Sequence, residues 1–170
     1  VQSPFLVFLN HFRIEQYGDY FSVVKYSQQE SACRQRLNAS DFSGQQDYGQ
    51  LGINAGVSGQ GGGISIQDAR IPFGLGIHGE SHYETPLPAN AKALSIGVGM
   101  TTNAHCSSGL IFEIYADEKQ LYQRELQKDE FEWLKLPVSS AQKLRLVTKP
   151  GANNSCDHGA WLFPTVDLCN

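Results

Sequence analysis

The sequence predicts an all-β fold, a single antiparallel β-sandwich that is jelly-roll-like and has little helix. The first observation is a succession of short apolar or alternating runs, separated by turns rich in glycine, proline and asparagine. The second is that no segment shows the apolar spacing of a convincing amphipathic helix. The third is that the chain has no repeat with a period of about 20–50 residues, which argues against solenoids and propellers.

The N-terminal third of the chain is less regular than the rest. Residues 5–12 form an apolar, aromatic run that suits either a strand or a short helix, and residues 20–26 indicate a strand. The polar residues 27–43 leave helix and loop both open. Residues 48–63 are rich in glycine and almost uncharged, which indicates a long loop or an irregular hairpin.

The remaining residues predict a regular series of strands. Residues 93–98 alternate large apolar with small side chains, the pattern of a half-buried strand. Residues 110–115 and 120–126 flank a short turn and form the clearest hairpin. Other strands are expected at residues 64–66, 131–138, 143–147 and 161–168. We therefore divide the chain into an N-terminal extension, residues 1–19, and one β-sandwich domain, residues 20–170.

Charge and hydropathy argue against two classes of partner. The net charge is −4, and the lysines and arginines are scattered rather than gathered into a basic stripe. We therefore expect no nucleic-acid partner. No apolar run approaches the roughly 20 residues of a membrane-spanning helix, so no membrane span is expected. The short apolar run near the N-terminus also lacks the layout of a signal peptide.

The four cysteines predict two disulfides. None of them forms a Cys-x-x-Cys pair, which argues against a zinc site built from thiolates. Four cysteines allow three connectivities, and buried free thiols are the alternative. We favour Cys106–Cys156, because both residues lie in loops that follow strands. This choice leaves Cys33–Cys169 as the second pair.

Two N-glycosylation sequons lie in polar stretches, at Asn38 and Asn153. The even set of cysteines, the few lysines and the single methionine accompany them. Together these features favour a secreted, extracellular glycoprotein.

Two histidine segments flanked by glycine are the candidates for a binding site. Residues 74–81 place three glycines around His78, and glycine lets a backbone come close to a ligand. Asp157 and His158 follow a loop rich in glycine and asparagine. Tyr48 heads the long glycine-rich loop. Because the two segments bracket a run of strands, we expect all three to meet at one rim of the sandwich.

These residue types suit a sugar ligand. Carboxylates and imidazoles can pair with neighbouring hydroxyls, and an aromatic ring can cover the C–H face of a sugar. Tyr48 would be the aromatic wall, with Tyr26 as a further candidate. The polar contacts would come from His78, Glu80, Asp157 and His158. Trp161 is expected to pack in the core, and Trp133 is expected to pack in the sheet.

Catalysis and metal binding are the competing interpretations. His78, Glu80 and His82 would share one face of a continuous strand, as metal ligands could. The sequence His78-Gly79-Glu80 also matches half of a zinc deaminase signature, but the Pro-Cys-x-x-Cys half is absent. No Gly-x-Ser-x-Gly nucleophile motif is present. We therefore expect no enzyme, and a histidine bonded within a turn is the structural alternative.

Several motifs occur in an order that resembles a known family. They are ISI at 64–66, FGLGIHGES at 73–81, LSIGVG at 94–99, FEIYAD at 112–117, LRL at 144–146 and DHGAW at 157–161. In this order they resemble the NPCBM domain, carbohydrate-binding module family 51. The match extends over residues 20–168, and its specific parts are the two histidine segments.

The resemblance implies a lectin-like, non-catalytic module that is usually attached to glycoside hydrolases and binds galactose-type sugars. Modules resembling this one often hold a structural calcium, for which the sequence indicates no ligands. A structural or protein-interaction domain on the same fold is the alternative. The sequence departs from the family pattern at Gly79, at Met100 and Thr101, at Glu118 in the hairpin turn, and at Tyr48, where the family tends to have tryptophan.

Overall fold

The structure, a computed structural model, describes residues 32–67 and 69–169. The expected N-terminal extension (residues 1–19), the expected strand at residues 20–26 and the candidate Tyr26 lie outside the described residues. Within the described residues the chain forms thirteen strands and two short 3-10 helices, Ala39–Asp41 and Val57–Gly62. The strands are β1 (Arg34–Arg36), β2 (Ser43–Gln46), β3 (Gly52–Ile53), β4 (Ile64–Ile66), β5 (Ala69–Ile71), β6 (Gly74–His78), β7 (Ser81–Pro86), β8 (Ala93–Met100), β9 (Leu110–Ala116), β10 (Lys119–Leu126), β11 (Phe131–Pro137), β12 (Lys143–Pro150) and β13 (His158–Asp167).

Two antiparallel sheets pack face to face and form the sandwich. The first has the order β11-β8-β13-β6-β3, with β1 also paired to β13, and the second has the order β10-β9-β12-β7-β2. The β9–β10 hairpin is the one that the sequence indicated most clearly. The prediction of an all-β antiparallel sandwich with little helix is confirmed.

The main core lies between the two sheets. Alternate residues of β8, β9, β12 and β13 point inward and are fully buried, as strand periodicity requires. Trp161 belongs to this core, and its ring meets Phe112 edge to face at a centroid distance of 5.1 Å. Burying a large apolar side chain of this kind contributes about 1.5–3 kcal/mol.

A second cluster covers the outer face of the first sheet. The β4–β5 hairpin places Ile64 and Ile66 there, beside Phe163 and Trp133. The sequence led us to expect β8 to be half-buried, and this was wrong. The outward-facing glycines of β8 leave room for the side chains that cover the strand. A Cβ added to Gly97, for example, would lie 2.3 Å from the Trp133 ring. The strand is therefore buried on both faces.

Both disulfides join segments that are distant in sequence. Cys33 pairs with Cys169 at a Cα separation of 5.0 Å, and Cys106 pairs with Cys156 at 5.3 Å. These are the two pairs expected from the sequence. Among the helices that the structure describes, none has the length and apolar character needed to cross a membrane.

Candidate functional site

The segments singled out in the sequence meet at one end of the sandwich, which we call the histidine rim. It comprises the paired residues His78 and His158 and four loops, residues 47–51, 79–80, 101–109 and 151–157. The opposite rim carries the turns at residues 87–92, 117–118 and 138–142.

Two histidines form the floor of the histidine rim. His78 ends β6, His158 begins β13, and the antiparallel register places them opposite each other. Their rings meet edge to face with centroids 5.1 Å apart. The His78 side chain is only 9% exposed, so its ring supports neighbouring groups more than it faces solvent.

The turn between β6 and β7 requires glycine at position 79. Gly79 has a φ of +48°, in the left-handed region that side chains disfavour. A Cβ at this position would lie 2.2 Å from Oδ1 of Asn154 and 2.5 Å from Oδ2 of Asp47. Its amide donates a hydrogen bond of 2.9 Å to the carbonyl of Asp157. Gly79 therefore lets two other loops close over the turn.

This turn overrules the expectation that His78, Glu80 and His82 share one strand face. The chain reverses at Gly79 and Glu80, so His82 lies on β7 in the second sheet, paired with Gln45 and not with the floor of the rim. Residues at i, i+2 and i+4 share one face only when they belong to the same uninterrupted strand. The three residues therefore do not form the metal-binding face that the spacing suggested.

Asp47 links three parts of the histidine rim. Its Oδ1 lies 3.2 Å from Nδ1 of His78, and its Oδ2 accepts a hydrogen bond from the side-chain amide of Asn154. Its backbone amide donates to the carbonyl of Glu80 at 2.9 Å. Partial burial acts to raise the pKa of Asp47, but these hydrogen bonds outweigh it and hold the pKa below the ordinary value.

Tyr48 presents an aromatic surface beside this network. Its side chain lies next to His78, with ring centroids 5.1 Å apart, yet Tyr48 is 56% exposed. The backbone of Tyr48 is fixed by Gln46, whose side-chain amide donates to the Tyr48 carbonyl at 2.6 Å. Tyr83 in turn donates to the carbonyl oxygen of the Gln46 amide at 3.0 Å. The loop therefore holds an exposed ring in a defined place.

Asp157 lies beneath the rim, not on its surface. It is 0% exposed, so its carboxylate cannot make the ligand contact that the sequence led us to expect. Its Oδ1 accepts a hydrogen bond from the Ser107 hydroxyl, and Oδ2 is buried without a hydrogen-bond partner among the described residues. Burial is the main influence on its pKa and raises it, although Ser107 and His78 act in the opposite direction.

His158 is half-buried and favours the neutral imidazole. Burial first, and then the charges of His78 and His105, lower its pKa below the ordinary value of 6.5. Its carbonyl accepts hydrogen bonds from the backbone amide of Thr101 at 3.0 Å and from the Thr101 hydroxyl at 3.2 Å. A neutral imidazole offers one donor and one acceptor, so it can hydrogen-bond to an uncharged group such as a hydroxyl.

The exposed polar groups of the rim come from its loops. Glu80 is exposed, and it is its backbone carbonyl that contacts Asp47. Asn154 is also exposed, although its side chain bridges to Asp47. The exposed surface of the rim, called the ligand-facing surface in the proposal below, is therefore formed by Tyr48, Asp47, Glu80 and Asn154, with the two histidines and Asp157 beneath it.

A second cluster of donor atoms lies beside the rim but is not a metal centre. Ligand atoms of His105, Cys106 and Cys156 lie within 4.8 Å of one another. The two sulfurs are joined in a disulfide, however, and carry no thiolate charge. The disulfide instead ties the loop at residues 101–109 to the loop at residues 151–157.

Sequence reasoning missed Asp47 and Asn154, although both lie next to predicted residues. Asp47 directly precedes Tyr48, and Asn154 lies within the sequon of Asn153. Their pairing joins residues 107 positions apart, so no local pattern could reveal it. The signal available in the sequence was Gly79, because a turn residue without a side chain leaves room for neighbouring loops.

Comparison with known proteins places the chain in a family. The sequence model of the NPCBM/NEW2 domain matches residues 34–167, which is most of the chain. No curated protein sequence matches it. The resemblance found in the motifs is thereby confirmed.

Solved structures show the same fold. The chain is similar to the CBM51 of GH95 from Clostridium perfringens in complex with methyl-galactose, at 19% identity and a TM-score of 0.67, covering 78% of this chain and 99% of that one. It is similar to a structure of CBM51-2 in complex with GlcNAc and INT domains from Clostridium perfringens ZmpB, at 18% identity and a TM-score of 0.67, covering 78% and 31%. A third match is the tandem CBM51 modules of Sp3GH98 from Streptococcus pneumoniae, at 14% identity and a TM-score of 0.63, covering 84% and 46%. The chain therefore belongs to the NPCBM/NEW2 domain family and has the fold of the CBM51 modules.

Proposed function

We propose that this chain is a secreted, non-catalytic carbohydrate-binding module that recognises galactose-type glycans at the histidine rim. The observation that carries the proposal is the position of Tyr48, an exposed ring set 5.1 Å from a buried imidazole and beside the Asp47–Asn154 bridge. An aromatic face next to hydroxyl-directed polar groups is what a sugar needs.

Each part of the rim has a separate task in this proposal. The Tyr48 ring covers the C–H face of the sugar and removes apolar surface from water. Asp47, Glu80 and Asn154 bind its hydroxyls, because carboxylates and amides can engage two neighbouring hydroxyls at once. His78, Asp157 and His158 hold these groups in position. The two disulfides support a location outside the cell.

The related structures support a sugar ligand of this general class. One of them was solved with methyl-galactose and another with GlcNAc, each bound by the protein concerned. The departures at Tyr48 and Gly79 lie at the rim itself. We propose galactose-type specificity from the family resemblance, with these two positions as the places where preference can differ.

A rim of this composition favours a sugar over a protein partner. A contiguous exposed apolar patch would favour protein docking. Among the described residues the large hydrophobic side chains that are exposed are Tyr48 and Ile53, at 56% and 54%. The polar groups around Tyr48 suit a small polar ligand, so the protein-interaction alternative receives no support from the rim.

The test is calorimetry with methyl-galactoside, guided by a glycan array. A monosaccharide offers few atoms, so we expect a Kd of roughly 1 mM to 1 μM. Tyr48→Ala should weaken binding by about tenfold or more, since it removes the aromatic wall. Ile53→Ala removes a similarly exposed apolar side chain and is the matched control, with unchanged affinity. Equal affinity in both folded variants would place the sugar elsewhere.

We also propose one structural calcium, on the resemblance alone. The donor cluster at His105 does not suit calcium, which prefers oxygen ligands, and we assign no ligand set. Binding at a hundredfold excess over Kd would stabilise the fold by about 2.7 kcal/mol. EDTA should therefore lower the melting temperature, and re-addition of calcium should restore it. A melting temperature that EDTA leaves unchanged rejects the ion.

A further inference from the structure

We propose that Asn153 carries an N-linked glycan that overhangs the histidine rim and restricts large glycans while admitting small ones. This inference rests on the proposed function, because it concerns access to the same site. The sequon predicts the modification, and the position of Asn153 in the fold predicts that the glycan shields the rim.

The two polar atoms of the Asn153 side chain differ in their hydrogen bonding. The residue is exposed, and its Oδ1 accepts a hydrogen bond of 2.9 Å from the backbone amide of Ser155. Its Nδ2 makes no hydrogen bond within residues 32–67 and 69–169. The oxygen is thus held by the chain, and the nitrogen that a glycan would occupy stays available.

The loop that carries Asn153 is firmly attached to the rim. The backbone amide of Asn153 donates to the Ser108 hydroxyl at 2.9 Å, and the disulfide of Cys156 lies three residues further on. The adjacent residue, Asn154, hydrogen-bonds to Asp47. Consecutive Cα atoms are about 3.8 Å apart, so the attachment point lies one residue from the ligand-facing surface. An N-glycan is bulky and solvated, and from this point it covers part of the rim.

The modification is an ordinary group transfer. The oligosaccharide donor is a lipid-linked pyrophosphate. Nδ2 of Asn153 forms a bond to the anomeric carbon, the bond from that carbon to the pyrophosphate oxygen breaks, and the lipid pyrophosphate leaves. The amide nitrogen loses one proton in the exchange.

The second sequon offers a matched comparison. Asn38 is also exposed, at the start of the 3-10 helix Ala39–Asp41. Its neighbour Leu37 donates to the carbonyl of Pro164 at 2.9 Å, six residues along β13 from His158. At about 3.3 Å per residue this is about 20 Å from the floor of the rim. A glycan on Asn38 therefore serves as a control that adds bulk without covering the site.

Occupancy is measured first. The full chain is secreted from a eukaryotic host, and peptide mass spectrometry records the modification at each sequon. We expect a glycan on Asn153. Its absence from this residue in protein that carries a glycan on Asn38, or no glycan at either, overturns the proposal.

Shielding is then measured without any sugar ligand. Hydroxyl-radical footprinting should label Tyr48 more strongly in Asn153→Gln and in Ser155→Ala, which removes the sequon but keeps Asn153. Labelling of Tyr115, which lies on β9 near the opposite rim, should not change. Asn38→Gln should leave both tyrosines as they are. Equal labelling of Tyr48 with and without the Asn153 glycan overturns the proposal.

Binding completes the test. Removal of the Asn153 glycan should strengthen binding to a galactose-containing polysaccharide by roughly threefold or more, with unchanged affinity for methyl-galactoside. Equal gains for both ligands, or for neither, contradict a size filter. Failure of every form to bind either sugar, with Tyr48 still shielded, rejects the proposed function and leaves the position of the glycan established.

Discussion

The two rims of the sandwich use their polar side chains differently. At the opposite rim, Asp117 accepts hydrogen bonds from the backbone amides of Gln142 and Lys143, at 3.1 Å and 3.0 Å, and so joins the turn at residues 117–118 to the end of the turn at residues 138–142. Lys143 also pairs with Glu84 at 3.1 Å. These contacts are between a carboxylate and backbone amides, or between partly exposed charged side chains.

At the histidine rim the polar side chains also bond to one another. Asp47 and Asn154 meet from different loops, and Asp157 supports the turn at Gly79 from below. The exposed ring of Tyr48 stands beside them. The difference indicates that one rim is organised for folding and the other for presenting a surface, and it can be tested by matched changes at each end.

The largest expected effect comes from removing the disulfides one at a time. Cys33–Cys169 closes a sequence separation of 136 and Cys106–Cys156 one of 50, so the loss of either should destabilise the fold by about 2–5 kcal/mol. We expect the paired Cys→Ser change at 33 and 169 to leave sugar affinity unchanged in folded protein. The same change at 106 and 156 should weaken it, because it releases two rim loops. Denaturant unfolding and calorimetry measure the two quantities, and equal affinity losses in both variants would erase the distinction between the rims.

The second-largest effect is expected from replacing Gly79 in the turn of the histidine rim. Gly79→Ala introduces a Cβ at a φ of +48° and against Asp47 and Asn154, so we expect a destabilisation of about 1–3 kcal/mol and weaker binding. Ser140 also has a positive φ, of 68°, in an exposed turn at the opposite rim. Ser140→Gly should change the free energy of unfolding by no more than about 0.5 kcal/mol and leave binding alone. A Gly79→Ala protein with native stability and affinity would show that the loops tolerate the added methyl group.

The smallest effect is a pH dependence specific to the histidine rim. The pKa of His158 is lowered in the folded state, so the unfolded chain binds the proton more readily. Its stabilising contribution is therefore complete above pH 6.5 and is lost as the pH falls through the folded pKa. Below that range Asp47, whose pKa is also lowered, loses its contribution as the pH falls under 3.8. The raised pKa of Asp157 acts in the opposite sense, with stability lost as the pH rises above 3.8.

The measurement is the melting temperature as a function of pH in wild type and in His158→Gln. The variant should lose the part of the slope that begins near pH 6.5, and His82→Gln, at an exposed position on β7, should retain it. An unchanged slope in His158→Gln would assign this pH dependence to other groups.

The sequence predicted the sandwich because the longer strands, β8 to β13, each carry their own evidence, whereas short strands such as β1 and β3 lie in segments that it left open or assigned to a loop. The first strand of the β9–β10 hairpin can be predicted from the alternation of Leu110, Phe112 and Ile114. This local pattern does not depend on residues distant in sequence. The burial of β8 on both faces could not be predicted from a local pattern. Its outer face is covered by Trp133 and by a hairpin that arrives from an earlier part of the chain.

The meeting of the two histidine segments was predictable, but the position of each side chain within the rim was not. Glycines around His78 and the loop before His158 correctly pointed to one rim. The burial of Asp157 depends on the loop that brings Ser107 over it, 50 residues away in sequence. The pairing of Asp47 with Asn154 likewise exists only after the sheets have packed. Local patterns identify which residues are unusual, and tertiary packing decides which of them face a ligand.

The floor of the histidine rim belongs to paired strands, whereas its walls belong to loops. His78 and His158 are fixed by the β6–β13 register, which does not depend on what residues 47–51 or 151–154 contain. Libraries can therefore randomise those two loops on an unchanged base, provided that Gly79 and the Cys106–Cys156 bridge are kept. The domain is in this sense a scaffold for engineering lectins, in which new sugar preferences are selected without redesigning the protein that carries them.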